Sequence, residues 1–264
     1  RGMDIGTAKP TAVEQAGIPH HLLDIMDVTQ TASVAELQSL ARATIGACRQ
    51  RGVVPLLAGG SALYVHAILD DFAFPGTDPV LRARLEAELA EVGPAVLHER
   101  LAALAPDAAA GILPGNGRRI VRALEVRELT GSVTSTLPSW EYALDDVVQV
   151  GLDVPREVLD ERIEQRVDRM WADGLVAEVE GLVARGLREG RTASLALGYR
   201  QVLGFLDGEL TEAEARQATV TGTRRFARKQ LGWFRRDPRI DWVPAGPDAA
   251  TTVAAVVRGI VQGS

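Results

Sequence analysis

Val53-Val-Pro-Leu-Leu-Ala-Gly-Gly-Ser-Ala-Leu-Tyr-Val-His-Ala-Ile-Leu69 is the stretch that decides the fold. Val53 to Ala58 is a short continuous apolar run, the pattern of a strand buried on both faces of a parallel sheet. Gly59-Gly60-Ser61 forms a small-residue turn, and Ala62 to Leu69 continues as a helix. A strand, a turn and a helix N-terminus bring backbone N–H groups and a hydroxyl to the carboxyl edge of a sheet, where a phosphate or ribose can be met. The same residues also fit a plain βα turn with Ser61 capping the helix. Working back toward the N-terminus, Ser33-Val-Ala-Glu36 is a capping box, followed by Val34, Leu37, Leu40, Ala41, Ile45 and Cys48 at helical spacing. Gly17 to Ile25 is expected to be a short strand that points His20 and His21 to opposite faces, which suits structural roles better than a shared metal. Arg1-Gly-Met-Asp-Ile-Gly-Thr-Ala-Lys-Pro10 is loop-like, of a composition that often handles anions.

Working forward, Asp78-Pro79 opens a helix carrying Arg82 and Arg84, and Glu91-Val-Gly-Pro94 breaks it. Ala95 to Leu104 and Arg118 to Thr130 give two further helices with no strand between. Arg118, Arg119 and Arg122 crowd the start of the last of these, where cations oppose the helix dipole, and a locally unfavourable arrangement hints at use elsewhere. Thr134 to Asp146 is polar loop, and strand character returns at Val147 to Asp153. Pro155 then takes a first helical position. On the helix that follows, Arg162, Arg166 and Arg169 share a face. They suit either salt bridges to Asp160, Glu164 and Asp168 or a phosphate clamp, since guanidinium forks match phosphate oxygens.

Thr211-Glu-Ala-Glu214 begins a long helix that ends in Thr223-Arg-Arg-Phe-Ala-Arg-Lys-Gln-Leu-Gly-Trp-Phe-Arg-Arg236. At about 100° per residue, Arg224, Arg225, Arg228, Lys229, Arg235 and Arg236 fall in one sector, opposite Phe226, Ala227, Leu231, Trp233 and Phe234. No acidic residue interrupts the run before Asp237. In a 264-residue chain of net charge −6, such segregated positive charge favours a polyanion such as nucleic acid. Cys48 is the only cysteine, which excludes a disulfide framework and a Cys-based zinc site. No apolar run is long enough to span a bilayer and no signal-peptide pattern is present, so the expected address is cytoplasmic.

Taken together, Gly2-Met-Asp-Ile-Gly-Thr-Ala-Lys-Pro10, Pro19-His-His-Leu-Leu-Asp24, Gly59-Gly-Ser-Ala-Leu-Tyr64, Arg119-Ile-Val-Arg-Ala-Leu-Glu125, Arg162-Ile-Glu-Gln-Arg166, Gly198-Tyr-Arg200 and Arg228-Lys-Gln-Leu-Gly-Trp-Phe-Arg235 resemble the bacterial tRNA dimethylallyltransferase (isopentenyltransferase) family. The resemblance implies an α/β, P-loop-kinase-like parallel sheet flanked by helices. Residues 1–75 and 135–264 would form the core, with 76–134 as an all-α tRNA-binding insertion. It also implies transfer of a dimethylallyl group from dimethylallyl diphosphate to N6 of adenine 37, in the anticodon stem-loop of tRNAs reading codons that begin with U, with Mg²⁺ as cofactor and a monomeric enzyme.

By position, Ser61 falls near the substrate adenine and Arg162 and Arg166 on the diphosphate segment. Arg82, Arg118, Arg119, Arg122, Gly198, Tyr199, Arg200, Arg228, Lys229, Gln230, Trp233 and Arg235 fall on tRNA-contacting positions. The family's phosphate loop and its general-base aspartate match nothing in this sequence and are expected upstream of Arg1, as is the first strand and helix. Two other functions share features with this one: prenylation of free AMP, which has no use for the C-terminal cations, and tRNA binding without turnover.

Overall fold

The computed structural model describes residues 1–72, 74–133 and 140–261, with the side chains of 259–261 outside the described set. The chain divides into two compact units, Arg1–Leu69 with Leu144–Ser264, and Asp70–Ala143. The second unit is wider at both ends than the 76–134 segment read from the sequence. Of the loop expected over 134–146, residues 134–139 lie outside the described residues.

The first unit opens with helix α1 (Val34–Gln50), whose cap is Ser33 accepting from the Glu36 N–H at 3.1 Å, and α2 (Ala62–Leu69). The second unit holds α3 (Pro79–Leu104), α4 (Pro106–Ala110) and α5 (Gly117–Thr130). Asp78 caps α3 by accepting from Val80 and Leu81 N–H groups, and Pro79 at its first position needs no donor. The break expected within Glu91-Val-Gly-Pro94 is there: Gly93 has φ 80° and ψ 166°, and α3 kinks at it. That kink lets Leu85, Leu97 and Leu101 converge with Ile120 and Leu124 of α5 into a buried cluster. Burial of each such side chain contributes about 1.5–3 kcal/mol.

The first unit resumes with β1 (Gln149–Asp153), α6 (Arg156–Ala172), α7 (Leu175–Val183), α8 (Tyr199–Leu206), α9 (Glu212–Phe234), β2 (Ile240–Pro244) and α10 (Ala249–Val261). β1 and β2 pair in parallel with Gly151 opposite Trp242. Gly151 is required there, since a Cβ would lie 2.7 Å from the Trp242 ring. Asp237 fixes the turn into β2. Its carboxylate accepts from Arg239 Nε at 2.9 Å and from Gln149 Nε2 at 3.2 Å. Burial penalises that charge, but the Arg239 hydrogen bonds outweigh it and hold the Asp237 carboxyl below its usual range. The core of this unit gathers Val28, Met170, Leu175, Val179, Leu182, Leu187, Tyr199, Val202 and Leu203.

Two strands expected from the sequence are absent. Val53 to Ala58 is irregular, with Val54 76% and Leu56 89% exposed. An apolar run becomes a strand only where neighbours pair its backbone groups, and among the described residues the sheet contains β1 and β2 alone. Gly17 to Ile25 is irregular with a bend over 22–24, because Leu22 (φ 62°) and Asp24 (φ 54°) occupy left-handed backbone that no strand accommodates. His20 Nδ1 lies 2.9 Å from the Ile18 carbonyl and His21 Nε2 3.9 Å from Cys48 Sγ, so both imidazoles make local contacts.

Candidate functional site

The N-terminal loop already contains an anion, and the chain supplies it. Glu178 on α7 accepts from the backbone N–H groups of Asp4 (2.9 Å), Ile5 (2.7 Å) and Gly6 (3.3 Å), and from the Tyr199 hydroxyl (2.6 Å). Tyr199 is fully buried. Burial and the adjoining Glu178 carboxylate push its hydroxyl well above the ordinary 10. Gly198, also buried, has φ 89°, and its N–H donates to Gln201 Oε1 at 2.9 Å. This corrects the expectation that Gly198 and Tyr199 meet tRNA directly: they are interior residues that present Arg200, which is exposed and makes no ion pair among the described residues. At the outer edge of the loop, Lys9 pairs with both Asp4 and Asp24. Desolvation disfavours that ammonium, but the hydrogen bonds to Asp24 and Asp4 outweigh it and raise its pKa.

On α6 the two readings of the arginine face separate. Glu164 lies two residues from both Arg162 and Arg166, and Asp160 two from Arg162, which places acid and base roughly 200° apart around the helix. The acids therefore face α9 and not the arginines. Arg224 donates to Glu164 at 2.7 Å and lies 3.5 Å from Asp160, while Arg216 donates to Asp168 at 2.8 Å and stacks over Trp171 at 5.9 Å. Beneath them Ile163, Val167 and Val220 join the two helices. Arg162, Arg166 and Arg169 remain exposed and without ion pairs among the described residues. Arg224 consequently leaves the cationic sector of α9 to which its position on the helical wheel assigned it.

The Gly59-Gly60-Ser61 turn and α9 come together. Gln230 lies so close over Gly60 that a Cβ on that glycine would sit 1.7 Å from Gln230 Nε2. Ser61 starts α2 through its carbonyl, which accepts from the Val65 N–H at 2.9 Å. Its hydroxyl makes no hydrogen bond among the described residues, so the side-chain cap considered from sequence is not formed. Along α9, Arg225, Arg228 and Lys229 are exposed and unpaired among the described residues, and Trp233 is half-buried. Arg235 donates to Asp153 at 2.9 Å and lies over the Trp242 ring at 5.8 Å, an arrangement that ties the end of α9 to the sheet.

In the second unit the four expected arginines split into two pairs. Arg82 and Arg122 close on Glu125, which is fully buried and also accepts from Thr77 Oγ1 at 2.6 Å and the Asp78 N–H at 3.2 Å. Arg122 further donates to the carbonyls of Pro75 at 2.6 Å and Gly76 at 3.1 Å. Burial opposes the Glu125 charge, yet hydrogen bonds from Arg82, Thr77 and Arg122 prevail and bring its pKa down to about 2. Arg118 and Arg119, in contrast, are exposed and unpaired among the described residues.

Sequence reasoning missed Glu178, Glu125 and Arg216, and it read Arg224 as an available cation and not as the partner of the α6 acids. Of these only Glu125 had a signal, its place three residues after Arg122; the others act across 21 to 174 residues of chain or between separate helices. Among the described residues no group of three or more His, Cys, Asp or Glu converges as metal ligands, so they form no cage for the Mg²⁺ that the resemblance implies. No helix is long and apolar enough to cross a membrane among the described residues.

Comparison with known proteins places this geometry in a lineage. Residues 1–237 match the family model described as IPP transferase. The tRNA dimethylallyltransferase of Salinispora tropica is 64% identical over 260 residues, covering 98% of this chain and 81% of that protein. The crystal structure of the full-length tRNA isopentenylpyrophosphate transferase of Bacillus halodurans superposes with a TM-score of 0.68 at 38% identity, covering 99% of this chain and 86% of that one. A eukaryotic dimethylallyltransferase acting on tRNA shares the fold, with a TM-score of 0.77 at 21% identity over 98% of this chain and 69% of that one. With a family match spanning the Glu178-filled loop, the Ser61 turn and the arginine faces of α6 and α9, the chain belongs to the IPP transferase family.

Proposed function

We infer that the protein is a tRNA dimethylallyltransferase, moving a dimethylallyl group from dimethylallyl diphosphate onto tRNA. The 64% identity to a protein of that name over 98% of the chain carries the reading. We further propose N6 of adenine 37 as the acceptor, in tRNAs that read codons beginning with U. In that step the N6–carbon bond forms, the allylic carbon–oxygen bond breaks with its electron pair going to diphosphate, and N6 gives up a proton. N6 is a weak nucleophile, so alignment and stabilisation of the leaving anion are what the protein must supply.

Arg162 and Arg166 suit the diphosphate, because no carboxylate among the described residues neutralises them and guanidinium forks match phosphate oxygens. The polyanion would bring its own Mg²⁺, an ion that commonly keeps several waters and binds through substrate phosphates. Ser61, which follows the Gly60 that Gln230 overlies and whose hydroxyl makes no hydrogen bond among the described residues, suits a contact to the extruded base, whose unstacking costs a few kcal/mol. Exposed Arg118, Arg119, Arg200, Arg228 and Lys229 would offset that cost through phosphate contacts, which position without reading sequence. Arg82, Arg122, Arg235, Gly198 and Tyr199 would hold these groups in place from behind. We place the reaction in the cytoplasm and read the protein as a monomer.

The test is nucleoside analysis of tRNA, and separately of AMP, after incubation of the full-length protein with dimethylallyl diphosphate and Mg²⁺. N6-dimethylallyladenosine at position 37 of tRNA with AMP untouched is the expected result. Product on AMP would instead make the enzyme an adenylate prenyltransferase, and tight tRNA binding without product would make it a binding protein.

A further inference from the structure

We propose that Glu178 is a positioning residue for the transfer reaction, acting through the Met3–Lys9 loop; this rests on the tRNA dimethylallyltransferase reading above. Successive backbone N–H groups converging on one point form a cradle for an anion. Here the N–H groups of Asp4, Ile5 and Gly6 all point at the Glu178 carboxylate. That carboxylate is itself fixed. Leu175 and Val179, its neighbours on α7, are fully buried, and the Tyr199 hydroxyl donates to Oε1. The Tyr199 ring then closes the remaining side, because a Cβ on Gly6 would lie 2.5 Å from it.

The inner side of the loop is thus held by a side chain from each of α7 and α8. Its outer side contributes nothing to the core: Thr7 and Ala8 are exposed. Yet Ala8 sits at φ 50°, in left-handed backbone that L-residues with a Cβ avoid. Asp24, bonded through Lys9 to the same loop at 2.5 Å, sits at φ 54°. Strain of this kind persists only where the surroundings over-determine it, and it concentrates at working sites. A loop that merely had to close could carry glycine at both positions. The shape of the exposed Thr7–Ala8 edge is therefore what the Glu178 anchor maintains, and where that edge meets substrate a misplacement of about 1 Å costs up to a hundredfold in rate.

The experiment compares the full-length wild-type protein with Glu178→Gln and Ala8→Gly, measuring dimethylallyl transfer to tRNA well below the Tm of each variant, with tRNA affinity and Tm measured in parallel. A glutamine replaces one of the two carboxylate oxygens with an N–H₂ group, which faces either the Asp4 and Ile5 N–H groups or the Gly6 N–H and the Tyr199 hydroxyl, and kcat is expected to fall about tenfold or more with tRNA Kd within about twofold. Ala8→Gly leaves every one of those hydrogen bonds in place and relieves the left-handed alanine, so Tm should hold and any fall in kcat should be smaller than that of Glu178→Gln. Wild-type kcat in Glu178→Gln overturns the proposal, and so does a fall in kcat matched by an equal fall in tRNA affinity, which a damaged fold and not a displaced edge would give. Absence of transfer by the wild type would overturn the functional reading instead.

Discussion

Replacing Glu125 by glutamine should unlatch the helical unit. The side chain is fully buried and serves as the common acceptor for Arg82, Arg122, Thr77 and the Asp78 N–H. Glutamine keeps the volume but removes the charge, so two guanidinium groups lose their counter-ion and at least one donor meets an N–H₂ group. The size of the effect follows from linkage. The carboxyl falls from an ordinary 4.5 to about 2, and at 1.36 kcal/mol per pKa unit this corresponds to about 3 kcal/mol of stability. Breaking a buried ion pair by removing one partner typically costs a similar amount.

The sign is set by the depressed folded-state pKa: the stabilisation is complete above about 4.5 and is lost as pH falls toward about 2. Urea unfolding followed by far-UV circular dichroism at pH 7, 5, 4 and 3 is the assay, read as the difference between wild type and Glu125→Gln so that other carboxylates cancel. The variant should be less stable by about 3 kcal/mol at pH 7, and the gap should shrink steadily below pH 4.5. A variant as stable as wild type at pH 7, or a gap independent of pH, would refute the view that Glu125 is an ionised latch.

Other substitutions test the remaining contacts. Arg118→Gln and Arg119→Gln should each reduce the slope of log affinity for tRNA against log salt by about 0.7–1 without moving Tm, because neither side chain has an ion pair to lose among the described residues. Arg82→Gln should do the reverse, lowering Tm through Glu125. Tyr199→Phe removes one charge-assisted hydrogen bond from Glu178 and should cost about 1.5–3 kcal/mol in denaturant unfolding. Arg224→Gln frees the partly exposed Glu164 and Asp160. Its stability cost should be about 1 kcal/mol or less, while the KM for dimethylallyl diphosphate rises because uncompensated acid now shares α6 with Arg162 and Arg166.

What the sequence made legible was what is encoded locally. The Asp78-Pro79 start of α3, its break within Glu91-Val-Gly-Pro94, the Thr211-Glu214 box opening α9 and the strand ending at Asp153 rest on residues a few positions apart, and each is found where its spacing put it. Val53 to Ala58 failed as a strand because strand identity depends on partners, which no single run of residues specifies. Tyr199 failed as a surface contact for a related reason: its neighbour Arg200 is exposed, but a one-residue step on a helix turns the side chain by about 100° into the core.

The arginines show the same limit in its sharpest form, and they bear directly on function. A count of cations along α3, α5, α6 and α9 treats Arg82, Arg118, Arg162, Arg224 and Arg228 alike. The fold sorts them by what faces them. Arg82 closes on Glu125, and Arg224 takes the acids of α6. Arg118, Arg162 and Arg228 are left with no carboxylate among the described residues. This division makes positive charge available without a net positive chain, since the total stays at −6. The paired arginines still serve binding indirectly. By neutralising Asp160, Glu164 and Asp168, α9 keeps the acid side of α6 from cancelling the field of Arg162, Arg166 and Arg169 across a helix only about 10–12 Å wide. A guanidinium that never touches substrate can therefore govern anion affinity, and the Arg224→Gln variant separates that effect from a contact: its KM for diphosphate should recover when Glu164→Gln is added, whereas loss of a direct contact at Arg162 would not be rescued by removing any acid.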